Sequence, residues 1–372
     1  MIKLTKVQAF VYRAPIQTPV QTSFGLMRDR PAVFVRVEDA EGVAGWGEVW
    51  CNFPSCGAEH RARLIDTLIA PLVLQRSFSL PAKAFEWLTA QTSVLAIQTG
   101  EYGPLAQCIA GMDLALWDLC ARKAQLPLWR YLGGERNTVK IYASGLNPTD
   151  PEKLATERLA EGYQAFKLKI GFGQERDLNN LRAMREVIGE RALMVDANQG
   201  WDLATASVML GKLSEFNIAW LEEPLRADCQ WSEWKELAKH GDTPLAAGEN
   251  ITQLQGFAAA ISSGILKVIQ PDIAKWGGLS LGLPIAKNIL KAGLRFCPHY
   301  LGAGIGLLAS AHLLAATNAD DILEVDANTN PLRSLTCLPL ANIEQGMMTL
   351  SEEPGLGVVP DLVALKEFLV SH

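Results

Sequence analysis

The 372-residue chain lacks several features that define large classes of proteins. No apolar run approaches the length of a membrane span, and the first residues, MIKLTKVQAFVYRAP, have no apolar core of a signal peptide. We therefore interpret this N-terminus as a first strand. No Gly-x-Gly-x-x-Gly or Walker-type loop is present, which removes the usual sequence sign of a nucleotide-binding sheet.

The chain also lacks an excess of basic residues and closely spaced cysteine pairs of the Cys-x-x-Cys kind. The net charge of −6 argues against nucleic acid or an anionic membrane surface as a partner. The seven cysteines form no Cys-x-x-Cys pair. Cys51 and Cys56 could be a disulfide or half of a zinc site, but no further Cys or His cluster accompanies them. We predict a reduced, cytoplasmic protein.

From about residue 139, short apolar segments alternate with amphipathic helical patterns. Such alternation predicts a closed α/β barrel of parallel strands. The open doubly wound sheet is the alternative, but it usually carries a Gly-rich first turn. The predicted strands are residues 139–144, 165–171, 193–198, 219–224, 245–250, 268–273, 295–300 and 322–327.

The two ends of the chain have a different pattern. The first 125 or so residues contain two long β-like segments with a turn at Asp39–Gly42, followed by helices, and so predict an α+β module. The last forty residues do not continue the barrel repeat. We expect them to fold back on the first module, with a final helix over DLVALKEFLV.

Three carboxylates lie at the ends of consecutive predicted strands: Asp196 in LMVDAN, Glu222 in WLEEP and Glu249 in AAGEN. An acidic residue at a strand end is usually a helix cap or a solvated charge. Three on one face of a barrel instead predict a metal site, because side chains from successive strands converge there. Ligation by oxygen alone favours Mg²⁺.

Two lysines, Lys167 and Lys169, precede this set on the second strand. Their spacing of two places both on the inward side, where a lysine would be costly unless it is functional. We expect mutual repulsion to lower one pKa toward neutrality, which suits a base. The alternative is a pair of surface lysines.

On the other side of the predicted site, Asp272 and His299 end the sixth and seventh strands. Adjacent strand ends would let the carboxylate orient the imidazole, which favours a base over a structural histidine. Glu324 on the eighth strand could donate a proton or a hydrogen bond. Asn198 also points inward and could bind a substrate hydroxyl. A metal flanked by two bases suits proton abstraction beside a carboxylate.

Together these residues resemble the enolase superfamily, and within it the mandelate racemase subgroup. The resemblance covers essentially the whole chain, including AGMDLALWDL, KLKIG, VDANQGW, LEEP, GEN, QPDIAKWGG and PHYLGAG. It implies a modified TIM barrel, (βα)7β, over residues 126–330, a capping domain over residues 1–125, and a C-terminal segment, residues 331–372, that completes the cap. A homo-oligomer is also implied.

The resemblance further implies roles for individual residues. Asp196, Glu222 and Glu249 would bind Mg²⁺, Lys169 would be one base, and Lys167 would tune it and contact the substrate carboxylate. His299 with Asp272 would be the base on the opposite face. The related muconate-lactonising subgroup usually has a lysine where this chain has Asp272.

Many similar enzymes dehydrate acid sugars, so we expect conversion of an aldonate or aldarate to a 2-keto-3-deoxy acid. A racemase, an epimerase or a lactone cycloisomerase would use the same bases, and some segments are similar to galactarolactone cycloisomerases. A non-catalytic sugar-acid-binding protein is the remote alternative. Phe24, Arg30 and Trp50 are candidates for lining the pocket. Arg30 would either bind a distal carboxylate or anchor the loop.

Overall fold

The computed structural model describes residues 1–23 and 25–372. Its N-terminal part is an antiparallel sheet packed on helices. The strands of this sheet are β1 (Ile2–Gln21), β2 (Leu26–Asp39), β3 (Ala44–Val49) and β4 (Ser77–Phe78). The helices are α1 (Gly57–Leu64), α2 (Ala70–Leu74), α3 (Pro81–Thr99) and α4 (Tyr102–Lys123), with a π-helical turn at Ile65–Ile69.

The cap sheet packs very closely on helix α4. A Cβ atom added to Gly47 of β3 would lie 2.1 Å from the carbonyl oxygen of Gly111 in α4, so only glycine fits there. The predicted turn between β2 and β3 is confirmed, with the Gly42 amide donating to the Asp39 carbonyl at 3.1 Å. This packing places the end of β3 over the barrel.

The barrel is the predicted (βα)7β type, and the structure describes every residue in it. Its strands are β5 (Thr138–Leu146), β6 (Ala165–Lys169), β7 (Ala192–Asp196), β8 (Ile218–Glu222), β9 (Leu245–Ala247), β10 (Leu266–Ile269), β11 (Arg295–Phe296) and β12 (Ile322–Asp326). Neighbours pair in parallel from β5 to β11, and β12 pairs with β5. Between β11 and β12, the Glu324 amide donates to the Pro298 carbonyl at 3.3 Å.

Helices surround this barrel, one after each strand except the last. A short helix, α5 (Leu128–Tyr131), precedes the barrel. The barrel helices are α6 (Pro151–Ala160), α7 (Gln174–Ile188), α8 (Leu203–Leu213), α9 (Trp231–Leu237), α10 (Gln253–Ser263), α11 (Gly278–Lys291) and α12 (Gly304–Ala316). The short helix after β12, α13 (Pro331–Thr336), is not one of the barrel helices and contacts β1 and β2 of the cap.

The C-terminal segment contacts both parts of the molecule. Strand β13 (Met347–Thr349) pairs with β5, and strand β14 (Leu369–Val370) pairs with β1. The predicted final helix is wrong: the segment forms a 3-10 turn at Ala364–Phe368 and then extends. Backbone pairing with β1 requires an extended chain there and overrides the helical propensity. The domain boundaries stay a prediction.

Two other sequence-based expectations can be compared with the structure. All seven cysteines are free thiols, so Cys51 and Cys56 form no disulfide. Among the described helices, none combines the length and the apolar character needed to cross a membrane.

Candidate active site

The chemistry-bearing residues meet at the carboxyl ends of the barrel strands, beneath the cap. A cavity of about 240 Å³ lies there. Its lining from the cap is Thr22, Trp50, Asn52 and Phe53, and its lining from the barrel is Lys169, Asn198, Gln199, Glu249, Asn250, Lys275, His299 and Leu301. Parallel strands direct their carboxyl ends to one face, which explains why residues distant in sequence converge.

The three predicted metal ligands occupy adjacent positions on this face. Asp196 is the last residue of β7 and Glu222 the last of β8, while Glu249 lies two residues beyond β9. Residue 248, just before Glu249, must be glycine, because a Cβ atom there would lie 2.3 Å from the backbone nitrogen of Gln270, directly after β10. Asp196 and Glu222 are almost fully buried.

Each of these carboxylates is paired with a lysine. The distances from lysine Nζ are 2.6 Å for Lys169 to Asp196 Oδ2, 2.6 Å for Lys167 to Glu222 Oε2 and 3.0 Å for Lys275 to Glu249 Oε2. In the described part of the chain, no three Asp, Glu, His or Cys side chains are grouped so that they could hold a metal ion. One oxygen of each predicted ligand is occupied by a lysine.

The charge balance nevertheless favours a cation. Three lysines and His299, whose charged form is favoured, face six carboxylates at this end of the barrel, a formal excess of two negative charges when all six are ionised. The carboxylates are Asp196, Glu222, Glu223, Glu249, Asp272 and Glu324. Burial raises the pKa of Glu222 to about 7, with Lys167 opposing and Asp196 adding to that effect. The hard oxygen donors and the excess charge both fit Mg²⁺.

The predicted lowering of a lysine pKa is wrong for this arrangement. Burial is the largest effect and lowers the pKa of Lys169, but the charge of Asp196, its hydrogen bond to the lysine and the charge of Glu222 together outweigh it, and the net pKa is raised. Repulsion from Lys167 acts in the predicted direction and is smaller. Lys167 itself is completely buried, its pKa raised by Glu222 and Glu324 against the effect of burial. It is not part of the cavity wall.

The histidine and its predicted acid partner are adjacent. Because a carboxylate only accepts, His299 donates from Nδ1 to Asp272 Oδ2 at 2.8 Å. Asp272 is fixed by the amides of Ala274 and Lys275, which donate to Oδ1 at 2.9 and 3.1 Å. His299 Nε2 is left near the cavity, 3.4 Å from Glu249 Oε2.

This environment favours the imidazolium form of His299. Burial lowers the pKa of His299, but the charges of Glu249 and Glu324 and the hydrogen bond to Asp272 raise it to about 10. Glu324 lies within β12 and accepts hydrogen bonds from Ser144 and Lys167, whereas its Oε2 atom has no hydrogen-bond partner among the described residues. That oxygen lies 3.8 Å from His299 Nε2.

The remaining predicted site residues differ in position. Asn198 lines the cavity, but its side-chain amide donates to Asp196 Oδ2 at 2.9 Å, so it orients that carboxylate. Trp50 lines the cavity beneath Lys275 Nζ, which lies 4.8 Å from the ring centroid. Arg30 is buried and pairs with Asp326 at 2.5 Å, so it anchors the cap and does not line the cavity. Phe24 lies outside the described residues.

Sequence reasoning missed several residues of the cavity. Lys275, in the QPDIAKWGG segment, was not among the predicted site residues, yet its Nζ joins Glu249 to Asn250, 2.7 Å from the Asn250 Oδ1 atom. Asn250 directly follows Glu249, and Lys275 lies three residues after Asp272, so closeness in sequence to predicted residues was the available signal. Asn52 and Thr22 carry no such signal, because only the docking of the cap brings them to the barrel.

The fold is a capped barrel, and its site gathers carboxylates, lysines and a histidine held by an aspartate around one cavity. Together they define an enzyme of the lyase or isomerase type. Family models agree. Residues 5–133 match the mandelate racemase / muconate lactonizing enzyme N-terminal domain, and residues 151–364 match the enolase C-terminal domain-like family. The chain belongs to the enolase superfamily, in its mandelate racemase subgroup.

Curated relatives carry the names of several reaction types, among them a cycloisomerase and a dehydratase. D-galactarolactone cycloisomerase from Agrobacterium fabrum is 30% identical and matches 99% of each chain. Arabinonate dehydratase from Saccharolobus solfataricus is 29% identical and matches 87% of each.

Solved structures share the whole architecture. A mandelate racemase/muconate lactonizing enzyme from Bordetella bronchiseptica RB50 is 55% identical, with a TM-score of 0.93 over 98% of this chain and 99% of that one. A racemase from Streptomyces coelicolor A3(2) with bound magnesium is 27% identical, with a TM-score of 0.89 over 99% and 100% of the two chains. Members of this superfamily bind Mg²⁺.

Proposed function

We propose that this enzyme abstracts the proton next to the carboxylate of an acid sugar, with Mg²⁺ as its cofactor, and expels the neighbouring hydroxyl to give a 2-keto-3-deoxy acid. One observation carries the proposal: Lys169 and His299, from strands far apart around the barrel, line the same cavity together with Glu249. Two proton-transfer groups on one small cavity suit a reaction that removes a proton and protonates a leaving group.

The metal would be held by Asp196, Glu222 and Glu249. When bound, Mg²⁺ would stabilise the charge that develops on the substrate carboxylate as the neighbouring proton leaves. Asn198 supports this role because its amide and its backbone N–H both donate to Asp196, at 2.9 and 2.7 Å. The same contacts keep the Asp196 side chain in one orientation.

The bases would act from opposite sides of the substrate. Lys169 accepts a proton only in its neutral form, so separation from Asp196 must precede its action as a base. His299, held by Asp272, is suited to donate its Nε2 proton to the departing hydroxyl, which leaves as water while the C3–O bond breaks. The resulting enol takes up a proton at C3 and becomes the keto acid.

The lining of the cavity on the cap side favours one class of acid sugar as the substrate. The cap residues that line it, Thr22, Trp50, Asn52 and Phe53, are all uncharged. The barrel side supplies every charged group of the described lining, and so would hold the reacting carboxylate. An uncharged far end, as in an aldonate or a lactone, therefore fits better than the second carboxylate of an aldarate.

A cycloisomerase or an epimerase is the second candidate, favoured by the full-length similarity to a galactarolactone cycloisomerase. It would use the same two bases without expelling water. The remote alternative, a non-catalytic binding protein, does not fit the enzyme family. The cytoplasmic location and the homo-oligomeric state stay predictions.

Proton NMR in D₂O tests the proposal. The protein would be incubated with Mg²⁺ and separate pools of aldonates, aldarates and lactones. We expect the C2 proton signal of an aldonate to disappear and a 3-deoxy signal to form at C3, with one deuteron taken up there from D₂O. Deuterium incorporation without a 3-deoxy signal would favour the second candidate. Faster turnover of aldarates would contradict the uncharged far end, and no exchange in any pool would contradict an acid-sugar substrate.

A further inference from the structure

The loop that follows His299 is held by the cap domain and not only by the barrel. Glu48, in cap strand β3, is buried, and its two carboxylate oxygens accept from this loop and from the first turn of helix α12. The Ala303 amide donates to Oε1 at 2.6 Å and the Gly306 amide donates to Oε2 at 2.9 Å. The Tyr300 hydroxyl also hydrogen-bonds to Glu48. A buried carboxylate with this many donors fixes the segment it contacts.

Glu48 also lies at the start of helix α12, which begins at Gly304. The first amides of a helix have no partner within it, and the partial positive charge there favours an anion. In most helices a residue of the same segment supplies the cap. Here the side chain comes from another domain, 255 residues earlier in sequence.

Nearby cap residues contact the same two barrel loops. The Asn52 amide donates to the Leu301 carbonyl at 2.6 Å, and the Trp50 backbone amide donates to the Ala274 carbonyl at 3.4 Å. Ala274 and Leu301 each lie two residues beyond a member of the Asp272–His299 pair. The end of β3 therefore bridges the loops that carry both partners.

We infer that Glu48 is a positioning residue for His299: it holds the segment from Tyr300 to Gly306 against the cap, and so fixes the imidazole relative to Asp272 and the cavity. The second base is then correctly oriented only when the cap is docked. This inference rests on the proposed role of His299 in proton transfer. Glu48 does not line the cavity and would not touch the substrate.

The test compares Glu48→Gln with a matched control, Asp118→Asn. Asp118 is also a buried cap carboxylate, and it accepts from the amides of Trp46 and Leu356 at 2.8 and 2.7 Å. It also accepts backbone amides away from His299, and in addition it pairs with Arg122 at 2.8 Å. Tyr300→Phe, which removes one donor and keeps the ring, is the second variant in case Glu48→Gln does not fold.

The first readout needs no substrate. It is the NMR signal of the His299 Nδ1–H proton in ¹⁵N-histidine-labelled protein, and it is assigned by comparison with His299→Asn. We expect this signal to shift or broaden in folded Glu48→Gln, to move less in Tyr300→Phe and to stay unchanged in Asp118→Asn. An unmoved signal in the folded Glu48 variant, or in Tyr300→Phe if the former does not fold, would overturn the inference. An equal change in Asp118→Asn would overturn it too.

The second readout compares water expulsion, the step assigned to His299, with exchange of the C2 proton for deuterium, the step assigned to Lys169. A displaced proton-transfer group can lose about 10²-fold in rate, so we expect formation of the 3-deoxy product by Glu48→Gln to fall by up to about that factor. Exchange of the C2 proton should stay within about twofold. Equal loss of both would contradict the inference. Absence of turnover by the wild-type enzyme would contradict the proposed function, while the His299 signal would still decide the role of Glu48.

Discussion

At the scale of single residues, each lysine of the site is paired with one carboxylate. Lys169, Lys167 and Lys275 each neutralise one of the three carboxylates that we assign to the metal. The histidine is different, because Asp272 holds its Nδ1 atom and leaves Nε2 near the cavity. The lysine and the histidine should therefore respond differently when they are removed.

Replacement of His299 by Asn should separate the two bases. We expect turnover to fall by about 10²- to 10⁴-fold, the usual contribution of a general acid or base. Exchange of the substrate proton by Lys169 should persist, because that amine does not contact the imidazole. Proton NMR in D₂O measures both. His240→Asn is the control, and loss of exchange from both faces in a folded His299 variant would contradict two independent bases.

Replacement of Glu249 by Gln should weaken binding of the metal. The amide keeps the shape but removes a charge from the ligand set, and hard divalent cations bind carboxylates far better than amides. Thermal unfolding with and without Mg²⁺ measures the effect independently of activity. We expect a smaller Mg²⁺-dependent rise in Tm than in the wild-type protein. Equal stabilisation of both proteins would contradict the assignment of Glu249.

At the scale of elements, the cap and the barrel are joined by buried polar contacts. Arg30 of β2 pairs with Asp326 at the end of β12, and both side chains are almost inaccessible to solvent. Asp326 also accepts from Asn328 and lies 3.3 Å from Arg333. Removal of one member of such a pair leaves the other charge buried, which is more costly than the loss of an exposed pair.

Arg30→Met should therefore destabilise the protein. We expect the free energy of unfolding to fall by about 3 kcal/mol, at the lower end of the range for broken buried pairs, because Arg333 still faces Asp326. Urea denaturation measures this change. Arg226→Met, which breaks an exposed pair with Asp228, is the control and should leave stability unchanged. Equal effects in the two variants would contradict the anchoring role.

The elements themselves were largely predictable. The alternation of apolar strands with amphipathic helices determines the barrel, and the site residues could be located because strand ends converge. The partner of Arg30 was not predictable, since it lies 296 residues away and only cap docking brings the two together. The raised lysine pKa was missed for a similar reason: it depends on carboxylates from other strands. The prediction of a final helix was wrong because pairing with β1 decides the conformation of that segment.

At the scale of the whole molecule, one buried histidine links three parts of the chain. His312, in α12, accepts at Nδ1 from the Trp129 amide at 2.9 Å, and its Nε2 faces the Leu356 carbonyl at 3.3 Å. The ring must be neutral to accept at one nitrogen and donate from the other. Burial lowers the pKa of His312 to about 4.

This histidine should make stability depend on pH. Its pKa is lower in the folded protein than in the unfolded chain, where it is about 6.5, so its stabilisation is complete above that value and is lost as pH falls toward 4. At pH 5 the loss should be about 2 kcal/mol. Urea denaturation of the wild type and His312→Gln across this range measures it. Other buried groups titrate in both proteins, so identical slopes would contradict the prediction.

The central claim is that one cavity holds a metal-assisted site for proton removal next to a carboxylate. The most direct test is loss of the C2 proton signal of an aldonate in D₂O, with and without Mg²⁺, by the wild-type enzyme and by Glu249→Gln. We predict rapid loss of this signal only with the wild-type enzyme and Mg²⁺. Loss that persists without the metal, or in the folded Glu249 variant at the wild-type rate, would contradict the claim.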